Sequence, residues 1–285
     1  MAVAFSRTHA PGAVPGAIPA LTAMHESGCE TVCMHAAHRQ AGYDVRFEWG
    51  IQGASAILDG VDVAVVVDVL SFTTTVSVAV DAGVRVFPHG SHGPGAQRYA
   101  RERGAALAVS RCHARPGDLS LSPASFRSTP ARARVVLPSP NGSAIAEQLA
   151  LRTEVCVAAC LRNARVVGQW IRSRHEVAPT VAVIAAGERW GDGSLRPAVE
   201  DLWGAGAVIS QLGVAAASLS AEAKLASVGY DAVRGRELDA LMACASGREL
   251  AAKGYRSDVH IAAEANLGEQ VPLLVDGCFA SARSN

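Results

Sequence analysis

Lysine is almost missing from this chain. Lys224 and Lys253 are the only two, and arginine carries the rest of the positive charge. The 26 basic residues are matched by 26 acidic ones. With no basic stripe or acidic tail, nucleic acid and a membrane surface are excluded as expected main partners. Aromatic residues are few. No apolar run reaches the roughly 18 residues of a membrane-spanning helix, and the first residues lack a charged-then-apolar leader pattern. The seven cysteines are odd in number and irregularly spaced, which rules out reading them as a disulfide framework. Cys156 and Cys244 stand in apolar stretches and are expected in the core. A cytoplasmic, reducing setting is the expectation.

Several catalytic signatures are also missing. There is no G-x-x-x-x-G-K-[ST] loop for a nucleotide and no G-x-S-x-G nucleophile elbow. Asp68-Val69-Leu70 lacks the second acid of a haloacid-dehalogenase-type phosphatase, and none of the nine histidines stands in an obvious metal or base pairing.

What is present is ample apolar material, 49% of 285 residues, enough for one large α/β domain or two smaller lobes sharing a sheet. Residues 1–42 mix Ala, Gly and Pro without a sustained period and read as a disordered or loosely ordered extension. Cys29 and Cys33 within it have no second pair at a zinc-type spacing. From Tyr43 the chain turns regular. Val45, Phe47 and Trp49 alternate as a strand that Gly50 ends. Strands are predicted at 63–67, 84–87, 106–109, 134–137, 155–159 and 181–186, and helices at 76–81, 94–103, 143–151, 164–174 and from about Pro197. Residues 111–133 read as a loop, and the chain beyond Leu212 as helical, with a late strand at 271–275. Alternating β and α elements predict a largely parallel sheet with helices on both faces, a three-layer α/β/α fold. It reads as two α/β lobes, with a division near residue 178.

The polar segments fall where such folds bind ligands, between the carboxyl end of a strand and the start of a helix. Asp68 follows the buried-type run Val63–Val67 and leads into Ser71, Thr73, Thr74 and Thr75. An acid can hold a cation there, while helix-start amides and hydroxyls attract an anion; Asp68 can equally be a helix cap. Asn141-Gly142-Ser143, Arg162-Asn163 and Gly187–Ser194 occupy the same topological position. Together these segments offer amides, hydroxyls and carboxamides to one anion. Glu200 and Asp201, in the first turn of the long helix, suit either its macrodipole or a Mg²⁺ ion shared with Asp68. Arg162, Arg189 and Arg196 are candidate readers of phosphate or sulfonate oxygens. Gly204-x-Gly206 lies inside a helical run and reads as close helix packing.

In order along the chain these segments resemble a family. Asp68-Val69-Leu70-Ser71-Phe72-Thr73-Thr74-Thr75 is similar to the D-V-L-R-A-T-T-T stretch of the 2-phosphosulfolactate phosphatase (ComB-like) family. Asn141-Gly142-Ser143 resembles its N-G-[TS] element, and Leu161-Arg162-Asn163-Ala164 its L-[RL]-N-A element. Gly187 through Ser194-Leu195, Glu200-Asp201 and Gly204–Ala207 resemble its A-G-x-G-S-L-x-x-E-D-x-x-G-A-G-A run. Ser246-Gly247-Arg248-Glu249-Leu250, with Gly254 and Asp258, looks like its S-G-R-E-L block. The resemblance covers Tyr43 to Phe279. One segment departs: Ser110 stands before Arg111 where the family's L-G-G-E-R has glutamate, and Leu119–Pro123 replaces its G-N-S-P.

The resemblance implies a cytoplasmic, Mg²⁺-dependent phosphatase converting 2-phospho-3-sulfolactate to 3-sulfolactate and phosphate, a step of coenzyme M biosynthesis in organisms that make it. Asp68, Glu200 and Asp201 are then the expected metal ligands and catalytic acids. Ser71, Thr73, Thr74, Thr75, Asn141, Gly142, Ser143, Arg162, Asn163, Gly187 and Arg196 are the expected phosphate and substrate contacts. The partner is a small anionic substrate, and a homo-oligomer is compatible with the pattern. Ser110 keeps two alternatives open: a phosphatase of the same fold for another ester, and a non-catalytic anion-binding homologue.

Overall fold

A computed structural model describes residues 35–128, 134–174 and 178–282. Most of the sequence-predicted extension lies outside them. Its end does not: Ala36–Arg39 form a 3₁₀ turn, and the Gln40 side chain exchanges hydrogen bonds with the backbone of Phe47.

The strands are β1 (Val45–Trp49), β2 (Val63–Val67), β3 (Arg85–His89), β4 (Ala106–Leu107), β5 (Arg134–Pro138), β6 (Cys156–Ala159), β7 (Val181–Ala185), β8 (Glu188–Arg189), β9 (Leu195–Arg196), β10 (Pro272–Val275) and β11 (Cys278–Ser281). The helices are α1 (Gly50–Ile57), α2 (Phe72–Asp81), α3 (Pro94–Glu102), α4 (Pro123–Ser128), α5 (Gly142–Leu149), α6 (Ala164–Ser173), α7 (Val199–Gln211), α8 (Ala221–Asp231), α9 (Glu237–Ala243), α10 (Ala245–Ala252) and α11 (Arg256–Ala262).

Nine strands form one sheet in the order β1-β7-β2-β6-β10-β11-β3-β5-β4, and β8 and β9 make a separate small ribbon. Pairing is parallel within β1-β7-β2-β6 and within β3-β5-β4, and antiparallel across the β10-β11 hairpin that joins the two halves.

The composition of β2 shows why the molecule has three layers. Val63, Val65 and Val67 face one core with α6, α7 and α8, whereas Ala64 and Val66 face the other with α1, α2 and α5. All five residues are fully buried, as expected for a central strand covered on both faces. Burying each larger side chain is worth about 1.5–3 kcal/mol, so this strand can hold its carboxyl end, and Asp68 with it, rigidly.

The structure adds to the sequence reading and corrects it in places. Helix α2 starts at Phe72, so Thr73, Thr74 and Thr75 are helical. Gly50, at φ +60°, ends β1 and also begins α1. The segment read as a loop at 111–133 contains α4, and β11 follows the late strand. β7, which follows the expected division near residue 178, lies between β1 and β2 in the same sheet.

Candidate active site

Asp68 ends β2, nearly buried, with both carboxylate oxygens engaged. Oδ1 accepts from the Phe72 amide at 3.0 Å, and Oδ2 from the Gly142 amide at 2.9 Å. The first amide opens α2 and the second opens α5. The carboxylate thus ties together two helix starts, one from each parallel half of the sheet. The halves run in opposite senses, yet the chain following β2 and that following β5 meet at this carboxylate. Gly142 must be glycine for that approach: a Cβ there would lie 2.6 Å from Asp68 Oδ2 and 2.5 Å from Phe72.

Asp201, in the first turn of α7, does the same between β2 and β7. Its Oδ1 accepts from Val69 N at 2.7 Å and its Oδ2 from Gly187 N at 2.9 Å. Glu200 beside it is fully buried. Glu188 follows Gly187 and accepts a hydrogen bond from Asn141 Nδ2 at 2.9 Å.

These four acids crowd one another. Burial raises the Asp68 carboxyl to about 6, against the pull of its two amides and Arg111, with Glu200 adding to the rise. Burial raises Glu188 to about 7, with Asp68 and Glu200 adding to it and Arg196 and Asn141 opposing. Asp201 lies well above the usual carboxylate range, because it is buried and faces Asp68 and Glu200. Concentrated negative charge of this kind is what a hard cation relieves.

Above the acids opens a cleft of about 520 Å³, lined by Leu70, Ser110, Arg111, Glu188, Lys253 and Tyr255 among others. Arg111 is its best-held cation. It donates to Ser71 Oγ at 2.5 Å and to the Leu121 carbonyl at 3.1 Å, and lies 3.2 Å from the buried Asp258 carboxylate. The Tyr255 ring packs under its guanidinium, and the Tyr255 hydroxyl donates to its carbonyl. A guanidinium fixed on several sides in a cleft, one rank above a carboxylate cluster, is suited to an anionic oxygen group. Arg196 donates to Ser246 Oγ at 3.1 Å, so the α10 start carrying Ser246-Gly247 is drawn to the same place.

Several expected contacts lie elsewhere or are already committed. Thr73 Oγ1 accepts from Asp68 N and donates to Asp68 O. Thr74 Oγ1 donates to Val69 O, Thr75 Oγ1 to Leu121 O, and Ser143 Oγ to Leu137 O. These fully buried hydroxyls shape the loops and do not face a ligand. Asn163 locks its own turn, taking Cys160 N on Oδ1 and giving Nδ2 to Ala158 O. Arg162 is buried in an ion-pair group with Asp81 and Glu264, the latter also held by Arg127, so it anchors the end of α2. Arg189 donates to Gly193 O within its own ribbon. Asp68 with Gly142, and Asp201 with Gly187, are joined by hydrogen bonds next to the buried Glu200, and Asn141, Ser71 and Arg196 each bond a residue that lines the cleft, Glu188, Arg111 and Ser246 respectively. Arg111, Glu188, Lys253, Tyr255 and Asp258 were not singled out as contacts from sequence. Arg111, ending the segment that departs from the family pattern, was the strongest available hint.

The expected three-carboxylate metal cage is not assembled. Among the described residues no three acids, histidines or cysteines converge as a metal site. The donor chemistry still fits Mg²⁺, which commonly takes one or two protein carboxylates and fills its octahedron with water and phosphate oxygens. Each Asp68 oxygen keeps a free lone pair after its amide bond; Glu200 is near enough to add to the rise of its pKa, and Asp68 adds to that of Glu188.

The fold is a three-layer α/β/α sheet protein, and its cleft presents a fixed guanidinium and a buried group of acids. Comparison with family models takes the next step: the 2-phosphosulpholactate phosphatase model matches residues 54–277. The chain therefore belongs to that family, whose members are phosphatases, hydrolases acting on phosphomonoesters. A search of curated proteins finds no match.

Proposed function

We propose that this protein is a Mg²⁺-dependent phosphatase that hydrolyses 2-phospho-3-sulfolactate to 3-sulfolactate and phosphate. The observation that carries the reading is Arg111, fixed by Ser71, Asp258, Leu121 and Tyr255 in a cleft that Glu188 also lines, close enough to Asp68 to oppose the rise of its pKa. Arg111 would hold one anionic end of the substrate by paired donors, and Lys253, which lines the same cleft paired with Glu249, would attract the other. Asp68 would hold the cation, with Glu188 or Glu200 as its second carboxylate. The bound cation would supply charge neutralisation on the phosphoryl oxygens and a more acidic water. Glu188, held near pH 7 and hydrogen-bonded to Asn141, is placed to take or return a proton at its free oxygen. The Phe72 and Gly142 amides keep Asp68 from turning away.

The test is phosphate release from 2-phosphosulfolactate, 2-phospholactate and 3-phosphoglycerate, each with Mg²⁺ and with EDTA. Metal-dependent turnover strongest on the sulfonate supports the proposal, whereas turnover unaffected by EDTA overturns the metal assignment.

A second reading keeps the chemistry and changes the organic half of the substrate. Ser110, standing where the family pattern has glutamate, lines the cleft directly beside Arg111. A missing negative charge at that wall alters which anions are accepted. Faster turnover of a non-sulfonated ester in the same assay would select this reading.

A further inference from the structure

We propose that the protein carries a second ligand site, separate from the phosphatase cleft, for an organic polyanion with an apolar or flat body, of the chemical class of a nucleoside di- or triphosphate. The site is a cavity of about 590 Å³ into which Arg85, Arg103, Arg134 and Arg174 all project against a single acid, Asp276. That volume lies within the range of small-molecule pockets, and four guanidiniums against one carboxylate leave a net charge of three. None of the four arginines forms an ion pair among the described residues, although nine other ion-pair contacts are present there. Like charges gathered without partners repel one another, and a bound polyanion would relieve that repulsion.

The arginines are also ordered by their surroundings. The Arg103 guanidinium lies over Phe87 and Tyr99 at 5.7 and 5.1 Å from the ring centroids, and Arg134 lies over Phe87 at 4.8 Å. Arg134 Nε donates to the Arg103 carbonyl at 2.7 Å, and Arg174 stacks on Trp170. Planar guanidiniums fixed in this way present donors in a set direction at reduced entropic cost. Between them the wall is apolar, formed by Leu273, Val275, Cys278 and Ala280. A bare inorganic anion would leave that wall uncovered, which is why the proposed ligand has an organic body.

The position is distinct from the catalytic cleft. Arg85 and Arg134 are the first residues of β3 and β5 and sit opposite one another in register, whereas Gly142 and the cleft lie beyond the carboxyl end of β5. One five-residue strand, roughly 13–17 Å at about 3.3 Å per residue, separates the two. The cavity and the cleft share no lining residue.

The test is calorimetric titration of the whole protein with ATP in EDTA, with ADP, tripolyphosphate and adenosine alongside. Saturable binding of ATP and ADP is expected, weaker binding of tripolyphosphate, and none of adenosine. The double variant Arg85→Ser/Arg103→Ser should weaken ATP binding about tenfold or more while phosphatase turnover is retained. Arg111→Ala, in the cleft, should leave ATP binding unchanged. If the double variant fails to fold, Arg85→Ser alone, an exposed position, carries the comparison with a smaller expected loss. Absence of saturable binding by any of these anions overturns the proposal. So does ATP binding that is lost in Arg111→Ala and kept in the arginine variants, because the ligand would then sit in the cleft. Tripolyphosphate binding as tightly as ATP would remove the organic body from the assignment.

Discussion

Asp68 and Arg111 show what single residues contribute here. Asp68 accepts two backbone amides that arrive from different helices, so its charge and its shape both matter. Asp68→Asn conserves volume but sets an NH₂ group against one of those amides and removes the charge. We expect the Mg²⁺ midpoint for phosphate release to rise about tenfold or more, and an unchanged midpoint in a metal titration would sink the ligand assignment. Arg111 depends on Asp258, which is itself buried and bonded to Ser122 Oγ at 2.5 Å. Asp258→Asn keeps the Ser122 contact and loses the charge that faces Arg111. As a positioning change it should raise KM about tenfold while kcat falls little; equal loss in kcat with KM unchanged would argue against it. Asp68 and Gly142 stood out in sequence because each follows an apolar strand and precedes a helix, and the structure joins them by a hydrogen bond. The roles of the Thr73, Thr74, Thr75 and Ser143 hydroxyls were not legible there. A threonine that bonds its own loop and one that faces a phosphate have the same local sequence, and only the packed neighbours, Val69 O or Leu121 O, separate them. Arg162 misled for the same reason, since its partners Asp81 and Glu264 are remote in sequence.

At the scale of elements, the strands β2, β6 and β7 and the helices after them were readable from period and punctuation, because a fully buried strand has to be an unbroken apolar run. The β10-β11 hairpin was half missed, although its turn was on view. Asp276 and Gly277 have φ of +51° and +75°, the pair of left-handed residues that a two-residue hairpin turn requires. The strands around them are only four residues each, too short for a period to show. Helix α7 shows the opposite case. Gly204 and Gly206 lie where side chains would collide: a Cβ on Gly204 would stand 2.5 Å from Val69, and one on Gly206 only 2.0 Å from the Ala226 carbonyl of α8. Those contacts let α7 lie close on β2 and on α8, and that seating aims Asp201 at Val69 and Gly187. Gly206→Ala should therefore cost about 1–3 kcal/mol of stability, since the obstacle is backbone and cannot rotate aside. Urea denaturation measures it, and a midpoint equal to that of the parent protein would show that the helices can part without penalty.

For the whole molecule, the parallel pairing of β2 with β7 matters most, because their carboxyl ends and the start of α7 concentrate acids that sequence separates by more than a hundred residues. Motif order grouped Asp68, Glu200 and Asp201, but nothing local announces that Glu188 will join them, and the consequence of their burial together is a pH dependence of folding. Unfolded, these carboxyls titrate near 4; folded, Asp68 stands at about 6, Glu188 at about 7, and Asp201 well above its usual value. Groups whose folded pKa is raised contribute stability that is complete below the unfolded pKa and is lost as pH rises through the folded one. Between pH 4 and about 7 the unfolded chain has given up protons that the folded chain still holds, so this cluster makes the metal-free protein less stable as pH climbs, by an amount on the order of a few kcal/mol. A cation that binds the ionised acids should reverse the trend. The expected result is a Tm in EDTA that falls from pH 5 to pH 8, and a Tm gain on adding Mg²⁺ that is larger at pH 8 than at pH 5. Asp68→Asn should flatten the slope in EDTA and reduce the Mg²⁺ gain together. A slope that survives unchanged in Asp68→Asn would assign the pH dependence to groups outside the cluster. A Mg²⁺ gain equal at both pH values would place any bound cation away from these carboxylates.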